Sequence, residues 1–389
     1  MRDPRLDLDD QRLAATVGAV VGVPRVDVPA HLASFTLHAP LELLARAALL
    51  PLVDPARRDA ARQRMLMLAD GYAAAGRPVP APAAAQFGST AAAVAALGDP
   101  DLADAAAVWL GARCRPDELR RLLGPLLLPS LEAAGHANIY LALLARYQPR
   151  GLPGQMLRHP VHAIARGSGR AITLLDPAPG PPVADVLATL DPIGPPPSPF
   201  IAPLVEHAER HGVLARVAGP AERPFELLRF AAQAMLQGPG EHAPYGWTHM
   251  LTLAQAPLLV GGAHHTFVAA AYLAAHWAGH GRGRIDPHFV PRPAELPLAD
   301  AVRTDPQAAA GAAYHLPPGP ATAAAAAALA TAAACSHDAH RVKYTLACLD
   351  AATTDPAARP LYLAAAASLN AWWEQHGDPS DPAPELAGG

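Results

Sequence analysis

Lysine is almost missing from this chain: of its thirty basic residues all but one are arginine, and the exception is Lys343. A basic excess is missing as well. The formal net charge is −4 with a pI near 6.5, and no Lys/Arg stripe runs along the sequence, so nothing is available to neutralise a phosphate backbone and nucleic acid is excluded as a partner. Cysteine is scarce. Cys114, Cys335 and Cys348 are an odd number without a CxxC spacing, which fits neither a disulfide framework nor a thiolate zinc site and points to a reducing, cytoplasmic compartment. Long apolar runs are also absent. The first residues, MRDPRLDLDD, are charged, and no uninterrupted stretch is long and lipid-like enough to cross a bilayer, so the expectation is a chain with no leader and no membrane partner.

What is present is enough apolar material, 51% of 389 residues with 16% charged, to bury one large core or two smaller ones. Alanine and leucine dominate, whereas alternating β-branched and aromatic runs are few, so the expected class is all-α: a multi-helix, bundle-like domain with long proline-rich loops. Ala39 to Leu52 is apolar around its circumference, as a buried helix is. Pro55 to Tyr72 is expected to be amphipathic, with Arg57, Arg58, Arg62 and Arg64 on the wet side. Pro116-Asp117-Glu118-Leu119 has the composition of a first helical turn; Pro125 and Pro129 are expected to split the leucine-rich stretch after it, and Ser130 to cap a helix running through Arg146. Proline-rich breaks at 78–82, 177–182, 192–199 and 317–320 mark loops. A single domain over 1–389 is expected, with a subdivision within 176–199 as the alternative.

Several chemical signatures are missing too: a GxGxxG opening a helix, a Walker A loop, a GxSxG elbow and HExxH. Histidine remains, eighteen in all, of which His31, His211, His280, His288 and His376 are expected at the surface or in loops. The lone lysine selects among the rest. An amine can lose its proton when buried and an arginine cannot, so a retained lysine suggests a task closed to guanidinium: Schiff-base nucleophile, general base, or a carbamate formed with carbon dioxide whose oxygens bind metal. In a helix His340 and Lys343, three apart, share one face, although a solvated face has the same spacing.

Four blocks carry a resemblance. The first is Phe35-Thr36-Leu37-His38-Ala39-Pro40-Leu41-Glu42, followed by a helix ending in Asp70-Gly71-Tyr72. The second, Leu127 to Tyr140, presents His136 after small residues. The third is Trp247-Thr248-His249-Met250-Leu251-Thr252, and the fourth, the most specific, is His340-Arg341-Val342-Lys343-Tyr344-Thr345. Together they resemble the questin oxidase-like family, which includes enzymes that oxidatively cleave rings of anthraquinone-type polyketides by a Baeyer–Villiger-like or dioxygenase outcome. The resemblance implies a non-haem Fe(II) held by four histidines and a carboxylated lysine, here His38, His136, His249, His340 and Lys343. Neutral imidazoles suit ferrous iron, and a carbamate replaces the carboxylate of facial-triad oxygenases.

The implied partners are a small aromatic substrate and O2, with NADPH as an external reductant because no dinucleotide-binding motif is present. Tyr140 stands four residues after His136 where other members often carry histidine or arginine. His159, His162, His264, His265 and His337 are the alternatives for the matched ligands, His159 and His162 being expected as a loop pair beside Pro160. Tyr140, Trp247, Tyr245 and Tyr344 neighbour the matched residues and suit stacking on a flat substrate or plain packing. Two other classes stay open: a metal-dependent hydrolase, although carbamylated-lysine amidohydrolases are α/β barrels with a His-x-His strand motif that this chain lacks, and a non-catalytic helical binding protein.

Overall fold

The computed structural model describes residues 3–147, 156–161, 170–198, 200–220, 223–238, 246–280 and 284–377. Among them helix dominates, as the composition predicts, and the one ladder is a two-residue antiparallel pairing of β1 (Arg25–Val26) with β2 (Arg77–Pro78). The chain forms two compact units that meet in sequence between Ala171 and Ile172, ahead of the proline-rich stretch.

The first unit contains α1 (Asp10–Val21), α2 (Ala33–Leu49), α3 (Arg58–Ala74), α4 (Thr90–Ala96), α5 (Ala103–Arg113), α6 (Pro116–Leu127) and α7 (His136–Tyr147), with a short helical stretch at 156–161. Helices α1, α2 and α3 pack on one another, and α7 packs on α2 and α6. Their starts obey local chemistry. Asp9 accepts the Arg12 N–H to begin α1, and Ser89 accepts the Ala92 N–H to begin α4, each satisfying an N–H that the helix cannot pair internally.

Three local expectations are corrected. Arg57, in the 3-10 turn just ahead of α3, is exposed and Arg58 and Arg62 are half-buried, Arg62 reaching Asp10 at 2.7 Å, but Arg64 is buried. Pro125 does not split α6. It lies inside the last turn, and the helix ends two residues later at Leu127. Ser130 does not cap α7: its hydroxyl accepts the Glu132 N–H at 3.2 Å, a 3-10 turn comes next at Glu132–Gly135, and α7 begins at His136. Helix α2 starts at Ala33, six residues ahead of the apolar run, so that His38 and Pro40 lie inside it.

The second unit contains α8 (Val183–Ala188), α9 (Ile201–Arg210), α10 (Val213–Arg216), α11 (Pro224–Gln237), α12 (Thr248–Val260), α13 (Ala263–His280), α14 (Leu298–Thr304), α15 (Pro306–Tyr314), α16 (Pro320–Cys335), α17 (Ala339–Thr354) and α18 (Arg359–His376). Its core is α12, α13, α17 and α18. Helix α12 packs on α13 and α17, α17 on α18, and α18 also on α11 and α15. Alanine is what lets these axes approach, and residues 267–279 of α13 and 361–371 of α18 are buried all round. Gly311 marks the tightest approach: a Cβ there would collide with the Arg292 carbonyl oxygen. No helix is long and apolar enough to cross a membrane among the described residues.

Candidate functional site

All five residues implied by the resemblance are buried: His38, His136, His249, His340 and Lys343 are each 5% exposed or less. For ionisable side chains this is unusual, because burial of a polar group is costly unless it is paired or coordinated. They fall in two groups, one in each unit.

In the first unit His38 on α2 and His136 at the start of α7 meet edge to face, ring centres 4.6 Å apart and planes at 89°. The His38 Nδ1–H donates to the Ser34 carbonyl at 2.7 Å. That bond fixes the ring and leaves Nε2 with the lone pair in the neutral form, the arrangement metal-ligating histidines favour. One turn further along α2, Arg46 Nε donates to Glu42 at 2.8 Å in a fully buried ion pair.

In the second unit His249 on α12 faces His340 on α17, ring centres 5.2 Å apart at 71°. Lys343 lies one turn beyond His340 on α17, as the spacing predicts. Asp338, wholly buried, caps α17. Its Oδ1 accepts the backbone N–H groups of His340 at 2.6 Å and Arg341 at 3.2 Å, and stands 3.3 Å from His340 Nδ1. The carboxylate approaches the ring at its Nδ1 edge, which leaves Nε2 on the opposite edge. The Arg341 guanidinium on the far face donates to Asn370 and Glu374, and Asn370 donates to Thr345, so α17 is pinned to α18 and cannot roll easily about its axis.

Sequence reasoning passed over His276. It sits in the middle of α13, 1% exposed, stacked parallel to His249 with ring centres 6.3 Å apart. Neither of its nitrogens has a hydrogen-bond partner among the described residues, and burial, with His280 nearby, pulls its pKa down to about 3, so the ring is neutral. A histidine inside the apolar run Phe267–Ala278 was the signal available. His280, expected at the surface, is half-buried near His276 and Trp247, whereas His31, His211, His288 and His376 are exposed as expected.

Imidazoles sharing one ion through nitrogen at about 2.1 Å place their ring centres roughly 4.5–6.5 Å apart, depending on the angle at the ion. The separations 4.6, 5.2 and 6.3 Å all fall in that span. Yet among the described residues no three His, Cys, Asp or Glu side chains form a ready metal-binding group. Donor type, burial and pair spacing suit a ferrous ion; the anionic groups the second unit offers beside this pair are the buried Asp338 carboxylate, already engaged at the α17 N-terminus, and Lys343 once carbamylated. Burial pushes the Cys348 thiol far up.

The remaining alternatives separate cleanly. His264 is exposed and His265 and His337 are half-buried. His162 and Tyr245 lie outside the described residues. His159, expected in a loop, is in the helical stretch 156–161, where its Nε2 donates to the Val21 carbonyl at 2.6 Å. Trp247 is buried against Trp277 and His280, and Tyr344 is buried beside Cys348.

The resemblance to the questin oxidase-like family rests on its four residue blocks, for no protein-family model, no curated protein and no solved structure matches this chain.

Proposed function

We propose that the chain is an iron-dependent oxygenase that uses O2 to insert oxygen into, or cleave, a ring of an aromatic polyketide or related secondary metabolite. The observation that carries this reading is the buried pair His249 and His340 with Lys343 one turn further on the same helix. In the second unit His249, His340 and Lys343 are the proposed iron ligands; His38 and His136 are the pair proposed from the first. A ferrous ion held by such donors supplies the site at which dioxygen is activated.

The residues themselves do three things. His38 and His340 each have a partner at the Nδ1 edge, the Ser34 carbonyl and the Asp338 carboxylate, which leaves Nε2 as the edge to offer an ion. Lys343, in its uncharged form, attacks carbon dioxide; an N–C bond forms, a proton leaves to solvent, and the carbamate oxygen becomes the anionic donor. Burial excludes bulk water, which strengthens each of these contacts. An external NADPH-dependent partner would supply electrons if the outcome is monooxygenation.

The test is oxygen uptake by iron-loaded protein across a panel of hydroxylated anthraquinones, with His340→Ala beside the wild type. Uptake dependent on one of these compounds and lost in His340→Ala is the expected result. No uptake with iron bound at full occupancy would overturn the assignment.

A further inference from the structure

The closest pair of imidazoles among the described residues belongs to neither group above. His207, in the last turn of α9, and His211, the residue that closes the helix, have ring centres 4.4 Å apart and planes at 59°. Their i, i+4 spacing puts both side chains on one face. That face lies at the edge of the helix: Leu204 and Ala208 are buried, His207 is half-buried and His211 is exposed.

Local bonding holds the backbone under this pair. The His211 N–H donates to the His207 carbonyl at 3.3 Å and the Gly212 N–H to the Glu209 carbonyl at 2.9 Å, with Gly212 in the left-handed region at φ 70°, where only glycine is free of strain. The His211 ring is held as well. Its Nδ1–H donates to the His207 carbonyl at 2.8 Å, so in the neutral ring Nε2 keeps the lone pair. Metal-ligating histidines take this tautomer when a carbonyl fixes the ring.

His207 supplies the matching nitrogen. Its Nε2 has no hydrogen-bond partner among the described residues, an unfavourable state for a covered polar atom. Burial, then the charges of His211 and Arg210, pull the His207 pKa below its ordinary value against a backbone hydrogen bond to Gly194, and the neutral ring is the form that binds a metal. Cover against water does not close this nitrogen to an ion. Two imidazole nitrogens that share one ion at about 2.1 Å leave a gap narrower than a water molecule. They need ring centres roughly 4.5 Å apart or more, so a slight turn of the exposed His211 ring completes the geometry. The ion would lie at the carbonyl end of α9, where the helix dipole favours positive charge.

We infer that His207 and His211 form a two-histidine site for a divalent first-row transition ion, Cu2+, Ni2+ or Zn2+, bound through both Nε2 atoms, with water or an outside ligand in the remaining positions. Imidazole suits these ions, whereas Mg2+ and Ca2+ take oxygen donors. Cu2+ should bind most tightly of the three. The site shares no residue with the proposed iron centre and stands whether or not the chain is an oxygenase.

The experiment is titration of the full-length protein with the Cu2+–iminodiacetate chelate, read by calorimetry and pulsed EPR. The chelate leaves adjacent positions on copper open to a pair of imidazoles, and its bulk keeps it out of the buried histidine pairs. Wild type should show one tight class of sites with two imidazole nitrogens on copper. His207→Ala and His211→Ala should each weaken that class by about a hundredfold, the advantage of a second, tethered contact, and leave one imidazole on copper. His288→Ala, which removes an exposed histidine elsewhere, should change neither reading. Circular dichroism without copper checks that the variants are folded, and His211, being exposed, is the substitution least able to disturb the fold. Wild-type binding through a single imidazole, no binding by wild type, or a tight class retained in folded His211→Ala would overturn the proposal.

Discussion

The rings of His249 and His340 stand 5.2 Å apart, at 71°, on two helices that pack directly against one another. The surrounding positions are Met250, Leu251, Leu253, Val342 and Leu346, all buried, and an apolar residue at either place would pack without a desolvation cost.

Asp338 links helix stability to this pair, because one carboxylate oxygen serves both the α17 N-terminus and the His340 ring. Asp338→Ala is expected to cost about 1–2 kcal/mol in denaturant unfolding through the lost cap. It should also lower iron affinity by roughly 10–100-fold through loss of the ring's orienting partner. Asp338→Asn, which retains capping, should recover most of the stability and little of the iron affinity.

The bidentate pair Arg229–Asp355 predicts an acid-sensitive contribution in the second unit. Arg229 donates to Asp355 at 2.7 and 2.8 Å, and Tyr362 donates to the same carboxylate at 3.1 Å. The hydrogen bonds from Arg229, and then from Tyr362, hold the Asp355 carboxyl below its ordinary value. A depressed folded pKa stabilises fully above the unfolded value of about 3.9 and is lost as pH falls through the lower, folded one. Asp355→Asn should therefore destabilise at pH 7 and pH 5 alike, with the difference from wild type shrinking below about pH 4 in urea titrations.

Gly311 predicts a packing cost without a chemical one. Its α-carbon faces the Arg292 carbonyl oxygen so closely that a methyl group has no room, and overpacking of this kind costs about 1–3 kcal/mol. Gly311→Ala should lower the melting temperature while leaving iron content per folded molecule unchanged.

Breaking the buried pair on α2 should be severe. Glu42→Ala deprives the Arg46 guanidinium, 1% exposed, of this carboxylate, and removing one partner of a buried ion pair costs about 3–5 kcal/mol. The double substitution Glu42→Leu/Arg46→Met should recover most of that loss in chemical denaturation, since it removes both charges together.

The helical class was legible because alanine and leucine carry it in almost every segment, and the shared face of His340 and Lys343 came from a three-residue spacing alone. Other features escaped for physical reasons. Pro125 looks like a breaker by composition, yet the helix runs through it and ends two residues later at Leu127. Arg64 has the spacing of a wet face but is covered by the packing of α3, which no local pattern reports. His276 has no spacing partner among the matched histidines, and only the packing of α13 on α12 sets it beside His249. The division at residue 171 falls where no proline cluster marks it.

The most direct test of the iron centre is the metal content of protein purified without added metal, measured by elemental analysis on wild type and Lys343→Ala, with circular dichroism to confirm that both are folded. Near-stoichiometric iron in the wild type and its sharp loss in folded Lys343→Ala is the predicted result. Iron-free wild type, or iron retained in the variant, would contradict a centre that depends on a carboxylated Lys343.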